Sequence, residues 1–432
     1  MSYHLNKIQQ IDDLLYNSSN RSEVAKSLNL KLNNWKHKNG STYHILKYNK
    51  EWLASESVTS VGLLRSLIYK DDGTIVCFAP PKSLPTDTLV ISESMEYVAE
   101  KFIEGTMMNV FYDKHTNSWE IATKSCVGGY SCFFREKGFK EENTFKYMFE
   151  EVCNQLNFNL NTLNQKYIYS FVMQHPRNRI VTVIKEMRLY LVEVYQVVDN
   201  TIINIISINR EFETFGLPST VRIPKQTVLR NMDDLERCKY EFASMNAPYY
   251  VVGLVIKNKL GERYKYRNPN YEHVRNLRGN QPKLQYQYLH LRQIGKVSEY
   301  LQYYKEHKRV FEGFRQLLHD YTNELYSNYI RCYIKKEKVL TEFPEKFRTH
   351  MYTLHHEIYL KSLMPNNKYV TKPEVINYFN HLHPARQMFI LNYDVRQQYK
   401  DNVRNDNPTK NLVPTSDTNA DTNIDLSNDN AE

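Results

Sequence analysis

The sequence predicts an α+β protein, with antiparallel sheets over roughly its first 270 residues and a basic all-α block after them. Three observations carry this. Short β-rich runs recur between positions 55 and 270 without a regular strand–helix–strand beat, which argues for antiparallel pairing rather than a wound parallel sheet. From about 273 to 400 the strand signals stop and helical periodicity takes over. Finally, 432 residues with 24% charged and only 13 glycines can bury a large core and fit two domains plus appendages.

In chain order, residues 1–50 read as one amphipathic helix with a lead-in, because Ile8, Ile11, Leu14 and Leu15 fall at helical spacing. SLIYKDDGTIVCFAP has two β-runs around a DDG turn and reads as a hairpin. Further β-runs are TMMNVFY, SWEIATKS, YIYSFVMQ, NRIVTVI, RLYLVEVYQVV, TIINIISI and YYVVGLVIKNK. Helical patterns interrupt them at EENTFKYMFEEVCNQL and over 224–245. The expected organisation is therefore a lead-in over 1–50, a mixed domain over 51–270, a basic helical domain over 271–400, and a disordered acidic tail over 401–432, where Asn, Asp, Thr and Ser dominate.

The net charge of +9 is uneven. Residues 401–432 carry two bases, Arg404 and Lys410, against seven acids, so the tail stands at -5 and residues 1–400 at +14. The 271–400 block alone has 21 Lys plus Arg against 12 Asp plus Glu. Such a surplus suits a polyanionic partner, nucleic acid first among them. The six cysteines show no CxxC pair and fit a reducing compartment. The polar start MSYHLNKIQQIDD and the lack of an apolar run near the roughly 20 residues of a membrane span predict a soluble intracellular protein.

Four segments carry chemistry. LLRSLIYKDDGTIVCFAPPKSL sets Arg65 before one strand and Lys82 after the next, so the hairpin can bring both cations to one end of a sheet and onto phosphates. EKFIEGTMMNVFYDKHTNSWEIATKS places Lys101, Glu104 and Gly105 at the start of an alternating run. YIYSFVMQHPRNRIVTV has Pro176, Asn178 and Arg179 at a turn. VVGLVIKNKLGERYKYR holds four cations around an LGE turn, with alternation putting Lys257 and Lys259 on one face and Lys265 and Arg267 on one face. Each is equally readable by itself as a solvated hairpin or turn.

In this order the segments resemble the phage-type RNA ligase 1 family, and still more the ligase-like proteins of large DNA viruses of eukaryotes. The likeness covers residues 55–270 with a helical domain after it. It implies a nucleotidyltransferase fold and, in active members, ATP-dependent sealing of RNA ends through a lysyl-adenylate, with magnesium or manganese. It further implies that Arg65 and Lys82 help the ATP phosphates, that Glu104 and Gly105 are the acid and glycine of a KxDG motif, and that Lys265 is the first lysine of the final motif. For a viral protein it implies the host cytoplasm.

Departures from the pattern are as informative. The nucleophile position, three before Gly105, holds Phe102; Ser170 stands where a ribose-binding acid is expected, Val252 replaces a glutamate, and Arg267 replaces a second lysine. Lys101 is one place early, and adjacent residues of a regular strand face opposite ways, so only a bulge would bring it to the site. Three readings result: an RNA-binding ligase-like protein with a degenerate adenylation site, an active ligase using Lys101 as a displaced nucleophile, and a noncatalytic viral assembly scaffold. His350, His355, His356, His381 and His383 lack a cysteine at zinc-ligand spacing and read as helix-surface and loop residues. Lys335, Lys336 and Lys338 form a short basic run that reads as a solvated face or an RNA contact.

Overall fold

The computed structural model describes residues 1–36, 40–92, 94–132, 141–281 and 283–406. Residues 1–276 form one compact unit and the chain from 277 a second.

Among the described residues the first unit has fourteen strands: β1 (Ser2–His4), β2 (Leu30–Lys36), β3 (Thr42–Tyr48), β4 (Leu67–Lys70), β5 (Ile75–Phe78), β6 (Tyr97–Lys101), β7 (Thr106–Asp113), β8 (Ser118–Ala122), β9 (Ile168–Gln174), β10 (Arg188–Asp199), β11 (Ile202–Ile205), β12 (Gln226–Leu229), β13 (Gly253–Asn258) and β14 (Arg263–Arg267). They form three antiparallel sheets, ordered β1-β11-β10-β9-β7-β8, β12-β6-β13-β14 and β2-β3-β4-β5. The central six-stranded sheet is covered on both faces. Met108, Tyr169, Phe171, Leu189 and Leu191 pack against Phe149 and Val152 of the helix Phe145–Gln155. On the other side Phe111, Ile168, Tyr195 and Ile203 share a core with Tyr43, Ile45, Leu67 and Phe78 of the β2–β5 sheet. The period-2 alternation of β7, β9 and β10 is what divides these residues between two cores.

A buried polar contact also joins those two sheets. Tyr43 donates to Asp113 at 2.6 Å and Lys70 to both its oxygens at 3.1 Å. Burial pushes the Asp113 carboxyl up, but Tyr43, the His115 N–H and Lys70 together hold it below the usual carboxylate range.

The third sheet packs Tyr97, Ala99, Leu254 and Ile256 under Leu235 of the helix Met232–Phe242. Its opposite face is different in kind. Cross-strand partners Glu100↔Val255↔Lys265 and Lys257↔Arg263 put one acid and three cations side by side, on the face that looks toward β10.

Several sequence expectations are corrected. Residues 1–50 are not one helix: Ile11–Tyr16 and Arg21–Ser27 are separate short helices, broken at Asn17–Asn20, and LKLNNWK with TYHILKY makes the β2–β3 hairpin. Polar residues at 17–20 end the helical register, and β3 gives no strand signal because polar His44 and Lys47, buried in the fold, break up its apolar run. NRIVTVI is not a strand, since the N–H groups of Val181 and Thr182 bond the Glu104 carboxylate instead of a neighbouring strand. TIINIISI is a strand only over its first half.

The second unit is helical: Leu284–Gln293, Val297–Tyr303, Lys308–Tyr329, Glu345–Thr353, Lys372–His381, Pro384–Leu391 and Tyr393–Asp406, with π-helical segments Ile330–Ile334 and Leu354–Leu363. Tyr321 is held between Phe347 and Phe379 at centroid distances of 5.1 and 5.2 Å. The closing helix runs through the first positions of the expected acidic tail; the rest of that tail, residues 407–432, lies outside the described residues. No helix among the described residues is long and apolar enough to cross a membrane.

His350 is not on the helix surface. It is buried, its Nδ1 lies 2.7 Å from the Tyr378 hydroxyl, and desolvation with nearby Arg386 pushes its pKa down to about 4. The group is neutral in the folded unit and protonates in the unfolded chain near pH 6.5, so the unfolded state binds more protons between those values. Stability of this unit is therefore expected to be full above pH 6.5 and to fall by about 2–3 kcal/mol toward pH 4. Urea unfolding at pH 7 and pH 5 checks this, with His350→Gln expected to flatten the slope.

A cation-lined cavity between two sheets

The face of the third sheet that turns away from its helix carries Glu100, Phe102, Lys257, Arg263, Lys265 and Arg267, each brought there by strand alternation and cross-strand register. The space it encloses with Arg65, Val172, Val192 and Pro224 is about 40 Å³ as measured for water centres. That holds a few waters and falls far short of a nucleotide.

Lys257 is neutralised within the structure. Its Nζ donates to Glu100 at 2.7 Å, to Glu193 at 2.8 Å and to the Val192 carbonyl at 2.9 Å, using all three protons. Burial pulls this amine down, but Glu100 and Glu193 pull it up further, leaving it above the usual lysine value.

Lys265 is the reverse case. Burial, and then the positive charges of Arg65, Arg263, Arg267 and Lys82, push its amine well below the usual lysine range. Its Nζ lies 5.1 Å from the centre of the Phe102 ring, with the Arg267 guanidinium 5.9 Å from the same ring. The ring supplies the quadrupole that makes this crowding tolerable. Arg263 lies 3.6 Å from Glu193, yet its buried Nε and Nη1 make no hydrogen bond among the described residues. Four positive charges thus surround the buried Lys265 amine, while Glu100 and Glu193 are engaged by Lys257 and Arg267 lies 3.7 Å from Glu272.

Each site residue expected from sequence can be placed. Arg65 is buried and Lys82 half-buried; the Lys82 N–H donates to the Gly62 carbonyl at 2.9 Å, so the ends of the hairpin meet, and both charges act on Lys265. Lys101 is exposed and shares its strand face with Tyr97 and Ala99, the face under the helix. The ladder runs without a bulge there: Glu100 pairs with Val255, Lys101 with Leu254, and the Phe102 N–H donates to the Gly253 carbonyl at 3.0 Å. The Phe102 ring therefore faces the cations, and Lys101, at the end of the strand, lines the rim of the same cavity. Lys259 lies beyond β13 and pairs with exposed Glu96 at 2.5 Å, away from Lys257.

Glu104 and Gly105 serve the backbone. The buried Glu104 carboxylate accepts from Val181 N–H, Thr182 N–H and Thr182 Oγ1 at 2.8–3.1 Å, which anchors the segment after the Pro176 turn. At that turn Asn178 donates to Thr106 Oγ1 at 2.6 Å and Arg179 Nε to the Val181 carbonyl at 3.1 Å, with Pro176 exposed. Gly105 has φ +154°, and a Cβ there would meet the Met173 carbonyl at 2.4 Å. Only glycine lets β7 start this close to β9.

The resemblance implies ATP with magnesium or manganese, and the residues present do not fit a metal. Glu100 and Glu193, the carboxylates that face the cavity, are closed by the Lys257 ammonium between them. Sequence reasoning missed both Glu193, buried in RLYLVEVYQVV, and Arg263; alternation names a strand's faces but not which opposing sheet covers them.

No protein-family profile matches the chain, and no curated protein sequence does. Among solved structures the chain is similar to an archaeal ATP-dependent RNA ligase at 11% identity, covering 71% of this chain and 72% of that one, with a TM-score of 0.37. It is similar to a putative ATP-dependent DNA ligase from Aquifex aeolicus at 12% identity over 73% of this chain and 76% of that one, TM-score 0.36. A mutant Naegleria gruberi RNA ligase with ATP and Mn aligns at 11% identity over 60% of this chain and 83% of that one, TM-score 0.29.

Proposed function

We propose that this chain is an RNA ligase-like protein that binds RNA phosphates along the basic cleft around this cavity, outside the small enclosed space itself, and does not adenylate itself. The observation that carries the reading is the crowding of Arg65, Lys82, Arg263 and Arg267 on the buried Lys265 amine, which they hold down, with Lys265 and Arg267 beside the Phe102 ring and two buried Arg263 nitrogens unmet among the described residues. Nucleophilic attack on a nucleotide needs an amine at the phosphate, and the position expected to hold it carries a ring.

Two assays on purified protein test this. Incubation with α-labelled ATP and magnesium or manganese is expected to give no covalent label on a denaturing gel. Label that disappears in Lys101→Ala would overturn the reading in favour of an active ligase. RNA affinity measured across salt is expected to fall on a log–log slope of about -3, the value for four or five phosphates on single strands. Binding that is absent, or indifferent to salt, would favour a scaffold that contacts only protein.

A further inference from the structure

We propose that the two π-helical segments of the helical unit, Ile330–Ile334 and Leu354–Leu363, present a stacking platform for unpaired bases of single-stranded RNA. The proposal rests on the reading that the chain binds RNA, and concerns a surface separate from the cavity. π-Helical turns are rare and concentrate at functional sites. Here two of them meet through their rings.

The rings form one stack with a tilted pair beside it. Tyr333 lies on His355 with centroids 3.9 Å apart and planes 11° from parallel, and His355 is followed one turn on by Tyr359 at 5.4 Å and 28°. Tyr352 lies against His356 at 4.2 Å with planes tilted by 30°, and the two imidazoles meet edge-on at 5.1 Å and 86°. The Tyr329 hydroxyl, 3.3 Å from His355 Nδ1, fixes that ring from below.

Core packing accounts for one side of this cluster only. Tyr329, Leu354 and Leu363 are buried, whereas Tyr333, His355, His356 and Tyr359 are half-exposed and Tyr352 is 49% exposed. Half-exposed rings already held parallel lose little freedom when a further planar group stacks on them, which is the economy used by single-strand binding surfaces. Nucleobases are such groups in every sequence.

Charge complements the rings. Positions 331–338 and 354–369 hold six Lys and Arg against two Glu. Glu337 is engaged by Arg331 and Lys335, and Glu357 by Lys361. The charge of exposed Lys338 also acts on Glu337, whereas exposed Lys336 and Lys368 make no ion pair among the described residues. Cations beside stacked rings match phosphates beside bases, whereas an acidic protein surface would meet the cations and leave the rings unused.

The test uses the full chain with a twelve-nucleotide single-stranded RNA carrying one 2-aminopurine, and the same RNA annealed to its complement. Binding is expected to quench the fluorescent base in the single strand and to weaken about tenfold in Tyr352→Ser, where one ring is lost. Tyr352→Trp is expected to keep both affinity and quenching. Because Tyr352 is exposed, its loss should spare the fold; His356→Leu, with thermal melting alongside, gives an independent second variant. If the wild type binds and quenches but neither variant changes either signal, the platform is not here. Equal affinity for the duplex would also overturn it, since duplexed bases cannot stack on protein. If the wild type binds neither RNA, it is the RNA-binding reading itself that fails.

Discussion

Lys257→Met is expected to destabilise the first unit by about 3–5 kcal/mol, the cost of breaking a buried ion pair by removing one partner. The reason lies in what remains. Without the amine, Glu100 and Glu193 face each other across a nearly dry gap, with side chains 7% and 10% exposed. Glu100 retains the Gln226 amide at 2.8 Å and Glu193 the Arg263 guanidinium at 3.6 Å, neither of which replaces a shared ammonium. Acid is expected to recover part of the loss, because one carboxylate can then take up a proton and share it with the other. The triple variant Lys257→Met, Glu100→Gln, Glu193→Gln is expected not to recover the loss, because Glu193 also neutralises the buried Arg263 guanidinium at 3.6 Å and its removal leaves that charge uncompensated. Urea unfolding at pH 7.5 and pH 5 measures all of these. A loss under 1 kcal/mol for Lys257→Met alone would show that water reaches the carboxylates, and the description of a closed triad would be wrong.

The triad also marks where sequence reading stopped. Alternation along VVGLVIKNK put Lys257 on a face with Lys259, and a face is as much as period-2 reasoning can deliver. Whether that face meets water or another sheet depends on long-range packing, here on Glu193 of a strand sixty residues earlier. The same limit explains why Lys259 and Lys257 have opposite fates: the strand ends at Asn258 and the next residue is already in the turn. Local signals were legible. The DDG turn produced the β4–β5 hairpin, and the LGE turn the β13–β14 hairpin with Gly261 at φ +81°. The helix at EENTFKYMFEEVCNQL was visible from its apolar spacing and is capped by Thr144 accepting from the Tyr147 N–H. Illegible were β3, whose apolar run is interrupted by the buried polar residues His44 and Lys47, and backbone segments satisfied by a distant side chain, as Glu104 satisfies residues 181 and 182. Neither leaves a periodic trace.

Lys265→Met is expected to raise the melting temperature and to abolish stabilisation by polyanions, two effects of opposite sign from one cause. In the folded unit the amine sits among four other cations, and its proton affinity is well below that of the unfolded chain. The unfolded state therefore binds more protons between the two values, so the charge penalises folding fully at low pH and is relieved as pH rises toward the ordinary lysine value near 10.4. Methionine, similar in length and uncharged, removes the penalty at every pH and packs against Phe102 in place of the cation contact. Stability given up at one position in this way is the mark of a site shaped for a ligand. An anion reverses the balance. Pyrophosphate bound at the mouth of the cavity adds negative charge beside the cluster and favours the protonated Lys265 amine, so wild-type affinity is expected to increase as pH falls, with proton uptake visible as a buffer-dependent heat in calorimetry. The variant is expected to bind at least tenfold more weakly, as for loss of one charged hydrogen bond, and to show no such uptake. If Lys265→Met melts lower than the wild type and pyrophosphate stabilises both equally, the amine is a structural cation and the convergence around Phe102 is not a binding site.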